Sequence, residues 1–102
     1  MKVLDTPLVG LQLVQTTTTH DPRGAFSRLF CARELHVLLG HRQIAQINQS
    51  RTTMVGAVRG LHFQHPPHAE MKMVRCLAGR IWDIAVDLRD RKSTRLNSSH
   101  RL

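Results

Sequence analysis

Residues 71–88 read MKMVRCLAGRIWDIAVDL, and this stretch decides the fold class. Two apolar runs, residues 71–77 and 81–88, flank Ala78-Gly79-Arg80, a sequence that favours a β-hairpin turn. In the second run the apolar residues recur at every second position from Trp82 to Leu88, with Asp83 and Asp87 between them. Because side chains alternate across a strand, the run predicts a strand with one apolar and one acidic face.

Short β patterns also fill most of the preceding chain, which favours a sandwich or barrel. The predicted elements are strands at residues 9–19, 25–30, 43–53 and 58–64, a turn at 20–24, and one helix at 32–39 closed by Gly40. The prolines at 66 and 67 end the fourth of these strands, since proline cannot donate to a sheet ladder. The fold class expected is therefore all-β with one short helix.

Size and composition narrow the functional class. With 102 residues the chain holds at most one domain, and it lacks an apolar run of membrane-spanning length. The N-terminus also lacks the plan of a secretion signal, so a soluble cytoplasmic protein is expected. Cys31 and Cys76 have no metal-like spacing and are expected to be reduced, although a bridge between them stays open from sequence.

The formal charge of +8 invites a nucleic-acid partner, but its distribution argues against one. Without residues 90–102 there are 11 basic and 6 acidic residues, a net of +5, spread without a basic stripe or interleaved aromatics. No nucleic-acid and no membrane partner is expected.

Residues 90–100, DRKSTRLNSSH, differ in character from the rest of the chain. They reproduce, residue for residue, one reading frame of a common sequencing-library adapter. We therefore expect residues 90–102 to be a non-native, disordered tail and leave them out of the fold prediction.

Residues 58–64, with Lys72 a short way on, carry the most distinctive chemistry. His62 can accept a proton near neutral pH, and lysine or arginine can hold the negative charge that results. These groups suit removal of a proton from a carbon beside a carbonyl. A lone strand histidine and an exposed lysine are more often structural, so the surrounding motifs decide the interpretation.

Five motifs resemble the dTDP-4-dehydrorhamnose 3,5-epimerase family in order and spacing. They are DPRGAF at residues 21–26, QINQS at 46–50, VRGLHFQ at 58–64, KMVR at 72–75 and GRIWDIAVDLR at 79–89. The resemblance implies that residues 1–89 are the N-terminal part of a jelly-roll cupin (double-stranded β-helix), here truncated, and that the family member is a homodimer. It also implies inversion of C3 and C5 of dTDP-4-dehydro-6-deoxy-glucose, for dTDP-L-rhamnose biosynthesis, without a cofactor or metal.

The resemblance assigns roles by position. It implies that His62 is the proton acceptor and Lys72 the stabiliser of the enolate oxygen. The substrate-binding positions it implies are Arg23, Gln46, Asn48, Arg59 and Lys72. Strict alternation would place Arg59 and His62 on opposite strand faces, so either Gly60 marks a bulge or Arg59 precedes the strand.

The chain also departs from the family pattern. Arg28 stands where the family has glutamate, which reverses the charge beside the nucleotide. The family's general acid is a tyrosine in the second half of the fold, as is the carboxylate that orients the histidine, and this chain has no tyrosine. We therefore expect the 102-residue product to be unstable or aggregating, and inactive.

Three other functions stay open from sequence. A metal-binding cupin would need His-x-His, but the second position is Gln64; His65 and His68 are nearby on a proline turn. A binding module for sugar nucleotides or nucleic acid would need the basic residues but not His62. An epimerase acting only at C3 or only at C5 would differ in residues of the second half.

Overall fold

The computed structural model describes residues 1–89 and 97–101. Its elements are β1 (Lys2–Asp5), β2 (Gln12–Gln15), β3 (Thr18–Asp21), β4 (Gly24–Ser27), α1 (His36–Leu39), β5 (Trp82–Val86) and β6 (Asn97–Arg101). The strands form three separate two-stranded antiparallel sheets, β1–β2, β3–β4 and β5–β6. Strand residues far outnumber helical ones in this part of the chain, which confirms the all-β class at that level.

The first hairpin pairs Lys2 with Gln15 and Asp5 with Gln12. Its loop is held by Thr6, whose hydroxyl lies 2.7 Å from the carbonyl oxygen of Leu11 and 3.2 Å from the amide nitrogen of Leu8. The single early strand predicted over residues 9–19 is wrong in extent: Val9 is 80% exposed in the loop, and separate strands begin at Gln12 and Thr18. Loop hydrogen bonding by Thr6 overrides the apolar alternation around Val9.

The second hairpin confirms the turn predicted at residues 20–24. Asp21 pairs with Gly24, so Pro22 and Arg23 form a two-residue loop. The amide of Arg23 donates to the Asp21 carboxylate over 2.8 Å, the local bond that makes aspartate a turn residue. The strand predicted at 25–30 is present but shorter, from Gly24 to Ser27.

The predicted helix is confirmed in place but is shorter than expected. Residues 32–35 form a turn, α1 follows, and Gly40 with φ of 56° ends it by donating its amide to the His36 carbonyl. Leu35 and Leu39 lie one turn apart and are 0% and 8% exposed. With Leu8, they are the buried hydrophobic residues of the described chain, so the core lies at the N-terminal end of the sequence.

The strands predicted at residues 43–53, 58–64 and 71–77 are not formed in the structure, which shows no regular strand between residues 40 and 81. The hairpin predicted around Gly79 is therefore wrong as well: β5 forms, but its partner is β6 rather than residues 71–77. A strand needs a neighbour for its backbone groups, and apolar residues of this region such as Ile47 and Val58 are 83% and 91% exposed.

The tail prediction meets the structure only in part. Residues 97–101 form β6, unlike the disorder expected there, while residues 90–96 and 102 lie outside the described residues. The adapter-like origin of the tail stays a prediction.

The Cα radius of gyration is 15.7 Å, larger than the roughly 13 Å of a compact 100-residue domain. No helix in the described part of the chain has the length and hydropathy to cross a membrane.

Truncation of Leu35 tests the location of the core. Leu35→Ala removes a fully buried side chain and is expected to lower the free energy of unfolding by about 2–5 kcal/mol, measured by urea titration. Val37→Ala is the matched control, because Val37 is 78% exposed on the same helix and its change is expected to stay within about 0.5 kcal/mol. Equal effects of the two substitutions would contradict a core at Leu35.

Candidate active site

The candidate site residues lie on two different parts of the chain. Arg23 is in the β3–β4 loop, and the other five are in the region without regular strands between residues 40 and 81; they are Gln46, Asn48, Arg59, His62 and Lys72. All six residues are exposed. Of the two best-defined depressions in the described residues, one is lined by residues 19–21 and 23–26, which include Arg23, and the other by residues 8–11, 85–87 and 89. The other five candidate residues line neither of them.

Arg23 is the best oriented of the six. Its Nη2 and Nε donate to Asp21 Oδ2 at 2.7 and 3.3 Å, in addition to the backbone bond from its amide. The Arg23 guanidinium holds the pKa of the Asp21 carboxyl below its usual value. The Arg23 side chain is nevertheless 90% exposed, so its remaining donors face solvent beside an open depression that Thr19, His20 and Phe26 help to line. This is an arrangement that can receive an anionic ligand.

Gly60 separates Arg59 from His62. Gly60 has φ of 108°, a conformation that side-chain-bearing residues rarely adopt, and a Cβ built there would lie 3.4 Å from His62 Nδ1. The Arg59 guanidinium donates to the Thr52 hydroxyl at 3.3 Å. No strand runs through residues 58–64 in this structure, so the strand faces of Arg59 and His62 are not defined by it.

The neighbouring histidines form a turn. The amide of His68 donates to the His65 carbonyl over 2.8 Å, and the His65 ring stands edge-on to Phe63 with centroids 4.9 Å apart. Within residues 1–89 and 97–101, no group of three or more histidine, cysteine, aspartate or glutamate side chains has the geometry to hold a metal ion. Cys31 and Cys76 are free thiols, as expected from their context.

Arg28 forms an ion pair with Glu34. Its Nη1 lies 2.9 Å from Glu34 Oε2, and Glu34 Oε1 lies 3.1 Å from the ammonium of Met1. These two cations, Arg28 first, lower the pKa of Glu34 to about 2. The charges of Arg28 and the N-terminal ammonium are therefore balanced by Glu34, whose carboxylate joins the chain start to the segment before α1.

A second aspartate–arginine pair, which the sequence reasoning missed, repeats the geometry of Asp21 and Arg23. The amide and Nε of Arg89 both donate to Asp87 Oδ1 at 2.9 Å, and its Nη2 donates to Oδ2 at 2.7 Å. The same guanidinium also donates to the Val9 carbonyl, so it ties the end of β5 to the first hairpin. The recurring Asp-x-Arg spacing in DPR and DLR was the signal that could have revealed it.

The candidate site residues all lie in a region that is similar to a known protein family. The sequence profile described as dTDP-4-dehydrorhamnose 3,5-epimerase matches residues 5–100, which is most of the chain and includes every candidate site residue. The chain belongs to the dTDP-4-dehydrorhamnose 3,5-epimerase family. The resemblance stated from the five motifs is thereby confirmed.

Individual epimerases agree with the family assignment. Proteins named dTDP-4-dehydrorhamnose 3,5-epimerase from Sinorhizobium fredii, Shigella flexneri and Streptomyces griseus are 38%, 34% and 37% identical to the chain. The matches cover 80%, 92% and 90% of this chain but 42%, 52% and 50% of those proteins. The chain thus spans about half the length of the curated relatives it matches. No solved structure matches the chain.

The acidic groups of the two structural ion pairs give a pH prediction. Arg89 lowers the pKa of Asp87 to about 2, as Arg28 and the N-terminal ammonium do for Glu34. Because both folded-state pKa values lie below the usual 3.8 and 4.5, their stabilising effect is complete above about pH 5 and is lost as pH falls toward 2. Carboxyl ¹³C chemical shifts followed during an acid titration should show both groups ionised at pH 3.

Removing the Arg28 guanidinium is expected to change the pKa of Glu34 without changing that of Asp87. Arg28→Gln is expected to raise the pKa of Glu34 toward its usual value while that of Asp87 stays low, which the same titration measures. Arg42→Gln is the matched control, because the Arg42 guanidinium donates to the Leu38 carbonyl rather than to a carboxylate. A Glu34 pKa that Arg28→Gln leaves unchanged would contradict the ion pair.

Proposed function

We propose that residues 1–89 supply the N-terminal part of a dTDP-4-dehydrorhamnose 3,5-epimerase domain, and that its substrate is a dTDP-linked 4-keto sugar. The observation that carries the proposal is the family match over residues 5–100, which includes the RGLH motif at residues 59–62 and Lys72. The name that these relatives carry states both the sugar nucleotide and the two centres inverted. The finer fold that goes with this function is a jelly-roll cupin, and the assembly expected from the family resemblance is a homodimer in the cytoplasm.

The proposed reaction uses His62 as the base. The imidazole removes the proton from C3, the electrons of that C–H bond form a C3–C4 double bond, and the C4 carbonyl oxygen becomes an enolate. Lys72 stabilises that negative oxygen, because an ammonium near developing charge lowers the barrier of the step. A general acid in the second half of the domain delivers a proton to the opposite face of C3, which inverts the centre, and His62 passes its proton to solvent. The same sequence at C5 completes the product. In this proposal, His62 and Lys72 account for the proton-abstraction half of the reaction.

The nucleotide end is assigned to the remaining residues. Arg59 and Arg23 present guanidinium groups suited to bidentate bonds with a diphosphate, and the Asp21 carboxylate already fixes the direction of Arg23. Gln46 and Asn48 recur at strand spacing and so would share one face if residues 43–53 form a strand. All four residues are exposed in the structure, so we propose that the site forms only when residues 43–77 are paired within a complete sheet.

The base is tested in a complete domain. Residues 1–89 of this chain would be fused to everything in the Streptomyces griseus relative that follows the position aligned with residue 89, and solvent deuterium entering C3 and C5 would be followed by NMR. His62→Asn is expected to lower exchange by about 10²–10⁴-fold, the usual contribution of a general base. His65→Asn, a histidine on the adjacent turn, should leave the exchange rate nearly unchanged. Full exchange in the His62→Asn protein would exclude it as the base.

In the same fusion, a substitution of Arg59 distinguishes an effect on substrate binding from an effect on the chemical step. Arg59→Gln is expected to raise KM by about tenfold or more, because a charge-assisted hydrogen bond is lost, with a smaller change in kcat. Arg51→Gln, an exposed arginine outside the assigned site, serves as the matched control. A fall in kcat at constant KM would contradict the assignment of Arg59 to the nucleotide. The 102-residue chain alone is expected to show no turnover.

A further inference from the structure

The β3–β4 hairpin holds one arginine through three hydrogen bonds to one carboxylate. The amide of Arg23 donates to Asp21 Oδ1 at 2.8 Å, and its Nη2 and Nε donate to Asp21 Oδ2 at 2.7 and 3.3 Å. Asp21 pairs with Gly24, so the loop that carries Arg23 has two residues and little freedom to move. At the other end of the hairpin, the hydroxyls of Thr18 and Ser27 lie 2.6 Å apart and join the two strands. Arg23 is therefore held both at its backbone and at its guanidinium.

The bonds to Asp21 leave one edge of the Arg23 guanidinium open. Nε and Nη2 form one edge of the planar group, and both donate to Oδ2. Nη1 has no hydrogen-bond partner among the described residues, and Nη2 carries a second hydrogen that points away from the carboxylate. Nη1 and Nη2 form a second edge, whose two parallel N–H groups match two oxygens of one phosphoryl group. A ligand can therefore bind the Nη1–Nη2 edge without displacing Asp21.

The second carboxylate oxygen of Asp21 has little to do with stability. The Arg23 and Asp21 side chains are 90% and 46% exposed, and ion pairs exposed to this degree contribute little to folding. The turn uses the bond from the Arg23 amide to Oδ1, which Asp21→Asn would retain through its side-chain oxygen. The turn therefore does not require Oδ2, whose two bonds orient the guanidinium.

Asp21 has two opposing effects on an anion at Arg23. Its negative charge repels the anion, and in water two unit charges about 4 Å apart change an affinity by about fivefold. Its bonds hold Arg23 in one rotamer, and the rotamer freedom of an arginine side chain corresponds to as much as about thirtyfold in affinity when the ligand has to remove it. Salt weakens the repulsion further at an exposed site, so the orienting effect is the larger one.

We propose that Asp21 is a positioning residue for the substrate: it holds the Arg23 guanidinium so that the Nη1–Nη2 edge receives one phosphoryl group of the sugar nucleotide. The inference rests on the proposed function for the role of Arg23 in nucleotide binding. It adds that Asp21, which does not itself touch the substrate, sets the affinity of that contact. It also identifies which edge of Arg23 binds and limits the contact to one phosphoryl group.

The first test follows Arg23 in the intact 102-residue chain by NMR of its guanidinium nitrogens during titration with inorganic pyrophosphate. Two separate Nη resonances are expected, because the bonds to Asp21 slow rotation of the group, and Asp21→Asn should merge them. The pyrophosphate affinity read from the Arg23 Nε shift is expected to fall about three- to tenfold in Asp21→Asn. Removal of a negative charge alone would raise this affinity, so the direction of the change separates positioning from charge.

Asp87→Asn is the matched control. Asp87 accepts the same three bonds from the amide, Nε and Nη2 of Arg89, so this substitution removes the same charge and the same orienting contact at another position. Arg89 is outside the proposed site, and the pyrophosphate affinity at Arg23 should stay unchanged. Amide hydrogen exchange of β3 and β4 shows in each variant whether the hairpin is retained.

The second test measures the reaction in the fused domain described above. Asp21→Asn is expected to raise KM by about three- to tenfold with kcat nearly unchanged, as loss of a binding contact remote from the reacting carbons does. A double-mutant cycle shows whether Asp21 acts through Arg23: once Arg23→Gln has removed the guanidinium, Asp21→Asn should no longer raise KM. A purely structural role of Asp21 would change kcat as well and would persist in the Arg23→Gln background.

Each outcome decides the inference. Weaker pyrophosphate binding at Arg23 in Asp21→Asn, with Asp87→Asn unchanged, supports it. Absent, unchanged or tighter binding, merged Nη resonances in the unsubstituted chain, or an equal effect of the two substitutions overturns it. A fusion without turnover counts against the proposed function, and the pyrophosphate titration still decides the role of Asp21. Turnover with a KM that Asp21→Asn leaves unchanged overturns the positioning role and leaves the proposed function intact.

Discussion

Backbone pairing is the constraint on which this structure depends. Each strand that forms has an antiparallel neighbour: β1 with β2, β3 with β4, and β5 with β6. A peptide group taken out of water without a partner loses the free energy of a hydrogen bond, so an apolar pattern alone does not create a strand. Residues 43–53 and 58–64 have the alternation of strands but no described neighbour, and they remain irregular and exposed.

Short-range polar interactions hold segments of the chain that strand pairing does not fix. The Asp21–Arg23 and Asp87–Arg89 pairs use the same bonds, an amide and a guanidinium donating to one carboxylate two residues earlier. The first pair stabilises the tight β3–β4 loop. The second pair orients Arg89, whose guanidinium also donates to the Val9 carbonyl. Glu34 acts in the same way between Arg28 and the chain start. These bonds need few neighbours in space, so they form even where the sheet is incomplete.

The proposed catalytic residues illustrate the opposite case. Arg23 is oriented because its partner Asp21 is two residues away, whereas His62 and Lys72 are exposed in the region without regular strands. Gly60, with its positive φ, interrupts the backbone between Arg59 and His62. Of the six residues proposed for the site, Arg23 is the one that lies in a hairpin loop of the described structure.

The sequence by itself determined the family, the turn at residues 20–24 and the position of the helix ended by Gly40, because each depends on local chemistry or on motif order. It also identified the β-rich class, through the alternation of β5 and its neighbours. Only the tertiary structure decided that β5 pairs with β6 rather than with residues 71–77, that the core lies at Leu8, Leu35 and Leu39, and that Arg28 pairs with Glu34. The physical reason is that pairing and burial depend on which groups compete for the same partner in space, and spacing along one chain does not specify that competition.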